Sequence, residues 1–432
     1  MLIDFEIKNY ASIKNTMLLS AETGERLSRL KTTNTIQENN FSLLKNLLIF
    51  GPNGSGKSNL INGLRCMQKM ILNDPAKITT PLPFQPFKLD QASQQAPTQF
   101  AVRFNDHHHT YDYRFSFNEH QIITEQLTCI LKTTEQVYFK RQAQSFSVLP
   151  QNLKAVAQAT KENSLLLFTA QQANDPHAIN VLRWFQNDLI FVDDTDLSDN
   201  TDLSELLQDT ATKQEFLNFL RFADFNIVDV RIRDVALHYP AELKQTLAQL
   251  NPNFNLETSQ KKLYTVHTQY NDAGQPTGEV ELPLDWESRG TQKIFVIALC
   301  LIFAQRHGNG KTLLFDEFDD SLHYELSSAL IQIFNSKMNL NQFILTTHEL
   351  QLLDCDVRVD QLYLVEKDFT GISTLKSIFD FNESRGNARA GISFMKKYLA
   401  GKFGAMPQID VSEMLTALTP QGAEKSHGAQ VP

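Results

Sequence analysis

One segment constrains this chain more than any other: Gly51-Pro52-Asn53-Gly54-Ser55-Gly56-Lys57-Ser58, a match to GxxxxGK[ST]. Consecutive backbone N–H groups that wrap an anion need conformations that only glycine adopts cheaply. Lys57 would bring a point charge to the β and γ phosphates of a nucleotide, and the Ser58 hydroxyl would ligate Mg2+. The flanking residues agree. Leu47-Leu48-Ile49-Phe50 is an unbroken apolar run, the pattern of a strand buried on both faces of a parallel sheet. Leu60, Leu64, Met67 and Ile71 then recur at helical spacing, so a helix starting at Asn59 aims its positive dipole end at the same anion. Gly51, Asn53, Gly54, Ser55, Gly56, Lys57, Ser58 and Asn59 are therefore the candidate ATP-binding residues.

A second apolar strand, Thr312-Leu313-Leu314-Phe315, ends in Asp316-Glu317. An aspartate at that place reaches Mg2+ through its water shell, so Asp316 joins Ser58 as a candidate metal ligand. Glu317 would lie beside the γ-phosphate, placed to accept a proton from the attacking water or to orient it. A third buried strand, Phe343 to Thr347, ends in His348. Finally, Glu287-Ser288-Arg289-Gly290-Thr291 precedes a helix expected from Gln292 to Gln305. A Ser and a Gly at a helix N-terminus form a second anion site. Within one chain that site would lie far from the P-loop. It makes sense if it caps ATP held by a second copy, which predicts a two-fold sandwich with ATP at the interface.

The order P-loop, ESRGT, LLFDEFD, SLH, TTH resembles the ATPases of bacterial abortive infection and phage defence, relatives of the ABC and SMC heads and of the overcoming-lysogenization-defect ATPases. Tyr398 to Pro407 is similar to their C-terminal signature. The resemblance covers roughly residues 1–117 and 283–407. It implies that His348 contacts the γ-phosphate and acts with Glu317, that Ser288, Arg289 and Gly290 form a signature acting in trans, and that Asp320 opens a D-loop ending at His323. It also implies Mg2+ as cofactor and a homodimer or higher homo-oligomer with ATP at its interface. A separate effector, a nuclease or toxin, would be the partner, with nucleic acid or a phage protein as trigger. There are departures. Glu287, Arg289 and Thr291 replace the Leu, first Gly and Gln of the usual LSGGQ, and Arg289 is either a γ-phosphate contact across the interface or a surface charge. His323 stands where SMC heads carry aspartate, and Tyr324 where close relatives often have proline. Gln85 and Glu125 are the candidates for the Q-loop. Only about 80 residues follow His348, little room for a further nuclease domain, and none is expected.

The expected fold is α/β, a P-loop head of ABC/SMC type with a mixed sheet, an antiparallel β subdomain and an inserted, mainly helical lobe. Residues 1–118 and 281–410 would form the two parts of the head, 119–280 the lobe, and 411–432 a disordered tail. In the β subdomain, Phe100 to Phe104 and Tyr111 to Phe117 alternate as a hairpin, with His107-His108-His109 as solvated turn residues rather than a metal site. Within the lobe, strand-like pieces at Gln136 to Lys140 and Ser145 to Leu149 give way to helical patterns near Asn180 to Asp188 and Leu203 to Phe222, and Asp272-Ala273-Gly274 reads as a hairpin turn.

Composition narrows the function classes. A net charge of −9 removes any global basic field toward nucleic acid. The four cysteines include no CxxC pair, so they read as reduced thiols. The longest apolar stretch, Ile294 to Ala304, is about half the ~20 residues that span a bilayer. A soluble, cytoplasmic protein with no membrane partner is expected. The main alternative is an SMC-like ATPase of DNA repair or maintenance, against which the missing heptads and zinc hook count. A transporter subunit would be shorter between P-loop and signature. A module that binds ATP but scarcely hydrolyses it would not need Glu317.

Overall fold

The computed structural model describes residues 1–24, 27–38, 41–106, 109–131, 134–192, 205–223, 225–236, 259–381, 393–404 and 410–418. Its centre is a six-stranded sheet in the order Leu189–Val192, Thr312–Phe315, Gln342–Thr347, Asn46–Phe50, Leu362–Lys367 and Ser373–Ser377. The first five strands are parallel and the sixth is antiparallel, so the sheet is mixed. Every residue of Asn46–Phe50, Thr312–Phe315 and Gln342–Thr347 is buried. Alternation explains why these strands read as continuous apolar runs. Leu47 and Ile49 enter one core, and Leu48 and Phe50 the other. Leu314 and Ile344 point one way, Leu313, Phe315, Phe343 and Leu345 the opposite way. Each face needs a cover, so no polar period survives. The helix Lys57–Leu72 covers the first face through Leu60, Leu64, Met67 and Ile71. The helix Arg289–Arg306 covers the second with a nearly unbroken apolar surface from Ile294 to Ala304.

The second sheet is antiparallel and has seven strands, in the order Ser145–Val148, Thr134–Gln142, Ile122–Leu131, Thr110–Phe117, Thr98–Asn105, Leu2–Lys8 and Met17–Ser20. The expected hairpin is present, with Phe104 opposite Tyr111. His107 and His108 of its turn lie outside the described residues. Among the described residues no histidine, cysteine or carboxylate cluster is arranged to hold a metal ion.

The boundary expected at residue 119 is corrected here, because three strands assigned to the lobe extend this sheet from Ile122 to Val148. Ile122, Leu127, Cys129 and Phe139 point into the same core as Phe100 and Tyr113. Their outward partners, such as Thr134, Glu135 and Gln136, are exposed. Polar residues on the solvent face of outer strands concealed the sheet's extent.

Among the described residues, the rest of the insertion combines helices with a smaller share of strand. Helices Lys154–Ala159, Leu166–Gln172 and Pro176–Arg183 pack onto the seven-stranded sheet, where Trp184 stacks on Phe104 at 4.0 Å. Leu189–Val192 then joins the central sheet beside Thr312–Phe315. The helix Thr210–Phe222 lies on Arg289–Arg306, with Phe216 against Phe295 at 4.5 Å between ring centroids. A separate three-stranded antiparallel sheet follows, Asp229–Ala236, Ser259–Tyr270 and Pro276–Pro283, whose second turn holds Gly274 at φ 73°. The tail is also corrected in part: Val411–Leu418 forms a helix with no buried residue, and 419–432 lie outside the described residues. Of the C-terminal signature, 405–407 lie outside them as well.

Candidate functional site

Parallel register gathers the chemistry at one sheet edge. Thr347 pairs with Phe50, and Phe315 with Leu345. Gly51, Asp316 and His348, each the next residue after its strand or one removed from that register, therefore emerge together at the carboxyl ends of neighbouring strands. Ligands of open α/β sheets bind at this edge.

Lys57 is only 4% exposed. Its ammonium donates to the carbonyls of Gly51 at 2.8 Å and Pro52 at 3.3 Å, and lies 3.3 Å from His348 Nδ1. Burial holds its pKa below the ordinary lysine value, against the opposing pull of Glu317, Asp316 and Asp319. His348 Nε2 sits 3.2 Å from Glu317 Oε1. These contacts fit the tautomer with its proton on Nε2, since Nδ1 faces an ammonium that only donates. Lys57, His348 and Glu317 thus form one continuous polar chain across three strand ends.

The loop itself needs its glycines. Gly56 sits at φ 109° as the residue before the helix, and a Cβ there would lie 2.4 Å from Ser373 Oγ. Ser373 Oγ donates to the Ser55 carbonyl at 2.6 Å and lies 2.7 Å from Ser12 Oγ, which accepts from Asn59 Nδ2 at 2.7 Å. Asn53 and Gly54 are exposed at the loop tip, and Ser58 is half-buried. Ser55 Oγ is buried without a hydrogen-bond partner among the described residues. An orphaned hydroxyl and a buried ammonium folded onto its own loop carbonyls fit a triphosphate. The Ser58 hydroxyl and Asp316 carboxylate supply the oxygen donors that Mg2+ prefers.

Asp316 and Glu317 are held by a residue with no assigned role in the sequence reading. Thr346 Oγ1 donates to Asp316 Oδ1 at 2.5 Å and accepts from the Glu317 amide at 2.7 Å. Its signal was a polar residue inside a strand buried along its whole length. Glu317 has φ 50°, a left-handed conformation rare outside glycine. The Asp320 amide donates to its carbonyl at 3.0 Å, and Asp320 itself is exposed. Burial raises the Asp319 carboxyl above its ordinary pKa. His323 caps the following helix, its Nδ1 accepting from the Glu325 amide at 3.4 Å, so it takes a structural place at that departure from the pattern.

Ser288 is the N-cap of Arg289–Arg306, accepting from the Thr291 amide at 3.1 Å. Both Ser288 and Arg289 are exposed. Gly290 is in close contact with the turn after Glu317, where an added Cβ would lie 2.5 Å from the Ser321 carbonyl. Glu287 is fixed from the three-stranded sheet, accepting from Thr265 Oγ1 at 2.5 Å and lying 2.7 Å from His267 Nε2.

Of the two Q-loop candidates, Glu125 is a structural residue. It is fully buried, paired with Arg141 at 3.3 Å, and accepts from Tyr113 Oη and the amides of Leu166 and Leu167. A carboxylate with all those donors has no capacity left for a nucleotide. Gln85 is exposed, and its carbonyl accepts from the Ala11 amide at 2.8 Å, one residue from Ser12 at the P-loop.

Residues 47–354 match the family described as "AAA domain, putative AbiEii toxin, Type IV TA system". None of the curated proteins matches. Among solved structures the chain is similar to an SMC head bound to the C-winged helix domain of ScpA, at 12% identity and TM-score 0.43 over 89% of this chain and 99% of that one. It is also similar to the SMC head domain from Thermotoga maritima, at 13% identity and TM-score 0.38 over 87% and 98%.

Proposed function

The chain belongs to this AbiEii-type family of AAA domains, and from that premise we propose that it binds and hydrolyses Mg-ATP between two copies of itself. Its role in this reading is that of a cytoplasmic sensor or scaffold in anti-phage defence, controlling a separate effector, a nuclease or toxin. The observation that carries the ATPase reading is the polar chain from Lys57 through His348 to Glu317, built at the edge of a parallel sheet.

Each residue then has a task. Lys57 and the loop amides would grip the β and γ phosphates, and Ser58 and Asp316 would hold Mg2+, whose charge would offset that of the transferring group. Glu317 orients the attacking water and takes its proton, and His348 reports the γ-phosphate to Glu317 through its second nitrogen. Ser288 and Arg289 face outward to close on the partner's nucleotide, with Asp320 exposed near them, while Gly290 lets the helix pack closely against the Ser321 carbonyl. The defence reading is supported by the family description, whose words are "putative AbiEii toxin, Type IV TA system".

The test is steady-state phosphate release with wild type and Glu317→Gln, alongside size-exclusion chromatography with light scattering. Glu317→Gln is expected to abolish turnover and to accumulate an ATP-bound assembly. Unchanged turnover in that variant would sink the catalytic assignment. ATPase activity that rises several-fold with duplex DNA, with a steep salt dependence, would favour the DNA-maintenance reading instead.

A further inference from the structure

Lys293 is the one lysine in an otherwise apolar run of the helix Arg289–Arg306, in the sequence Lys-Ile-Phe-Val-Ile-Ala-Leu-Cys. Burial of a lysine is unfavourable unless its ammonium finds partners. Lys293 is 4% exposed, and its ammonium donates to the Glu317 carbonyl at 2.5 Å. It also lies close enough to Asp319 to favour the charged form of that carboxyl. The carbonyl it reaches belongs to a residue whose backbone is left-handed, at φ 50°. Such a conformation persists only where the surroundings over-determine it. Three donors or acceptors do so here: Thr346 Oγ1 takes the Glu317 amide, and the Asp320 amide and the Lys293 ammonium share its carbonyl.

We propose that Lys293 is a positioning residue for hydrolysis, holding the Glu317 backbone so that its carboxylate meets His348 and the attacking water. This rests on the reading of Glu317 as the catalytic carboxylate. The placement has a consequence for assembly. Lys293 lies five residues from Ser288 on one helix, a separation of about 7.5 Å along the axis. Gly290 between them packs on the Ser321 carbonyl. The element that presents Ser288 to a partner's nucleotide is therefore the element that fixes this chain's own Glu317. Docking of the signature and alignment of the catalytic residue become one event.

The experiment compares full-length wild type, Lys293→Met, Lys293→Arg, Glu317→Gln and the double variant Lys293→Met/Glu317→Gln. It measures kcat and KM by phosphate release and ATP affinity by titration calorimetry. Lys293→Met is expected to lower kcat by about tenfold or more while the ATP dissociation constant stays within about twofold, the signature of an interaction made in the transition state. Lys293→Arg, which keeps a charged N–H donor, is expected to recover part of the lost kcat. The double variant should turn over no more slowly than Glu317→Gln alone. If Lys293→Met does not fold, Lys293→Gln takes its place with the same readings. A folded variant with kcat within about twofold of wild type overturns the proposal, as does a parallel loss of ATP affinity and kcat. Failure of Glu317→Gln to slow turnover would instead strike at the catalytic reading itself.

Discussion

Asp319 shows how this site trades stability against charge. Burial raises its carboxyl pKa above the ordinary 3.8. Between the unfolded and the raised folded value, the folded state holds more protons than the unfolded one. Stability therefore falls as pH rises through the folded pKa, and the full penalty applies above it. Asp319→Asn removes the charge, so it is expected to stabilise the nucleotide-free protein near neutral pH and to leave its stability almost unchanged below the unfolded pKa. Thermal unfolding of both proteins across pH checks this; a gain that is the same at every pH would contradict it. Glu125 gives the opposite case. Glu125→Ala strands the buried Arg141 guanidinium and leaves the amides of Leu166 and Leu167 without their acceptor. A loss of about 3–5 kcal/mol is expected in urea unfolding, with the ATP affinity of the folded fraction unchanged. An altered affinity would return Glu125 to the nucleotide site.

At the level of elements, the decisive local device is the junction between the strand Asn46–Phe50 and the helix Lys57–Leu72. Gly56→Ala asks a Cβ to occupy φ 109° and to sit 2.4 Å from Ser373 Oγ. It is expected to destabilise by about 1–3 kcal/mol and to weaken ATP binding by at least about tenfold, readable by denaturant titration and calorimetry. Normal affinity would mean that the loop reshapes freely. These elements were legible because each one's pattern is local: four apolar residues before the glycines, a helical period after them. No local pattern marks Ile122–Leu131 and Thr134–Gln142 as part of the same sheet as Phe100. Two of their inward positions are the charged pair Glu125 and Arg141, and many of their outward residues are polar, so neither strand announces what it packs against. The strand Leu189–Val192 is short enough that only its pairing with Thr312–Phe315 identifies its sheet.

On the scale of the whole molecule, the exposed N-cap at Ser288 makes a second copy the expected complement of the P-loop. Ser288→Arg places a bulky cation at that contact while leaving Lys57 untouched. The expected outcome is normal ATP affinity in the monomer, loss of ATP-dependent dimers in light scattering, and turnover reduced by about tenfold or more. Dimers that persist with full turnover would separate Ser288 from the shared nucleotide. Among the described residues no helix is long and apolar enough to cross a membrane, and all four cysteines are free. Burial pushes the Cys300 thiol up to about 12, in keeping with inert core thiols.

The chain's sequence alone determined the phosphate loop, the carboxylate pair, the histidine and the alternating faces of the central sheet, because each rests on neighbours within a few residues. Tertiary structure decided the rest. Ser373 supports the P-loop from 318 residues away, Thr346 joins Asp316 to Glu317 across 30 and 29 residues, and Lys293 reaches Glu317 from another helix. Thr346 and Lys293 stand out locally only as polar residues within buried apolar runs, and none of the three carries a pattern that names its partner. Only folding brings each within hydrogen-bond distance of the group it holds.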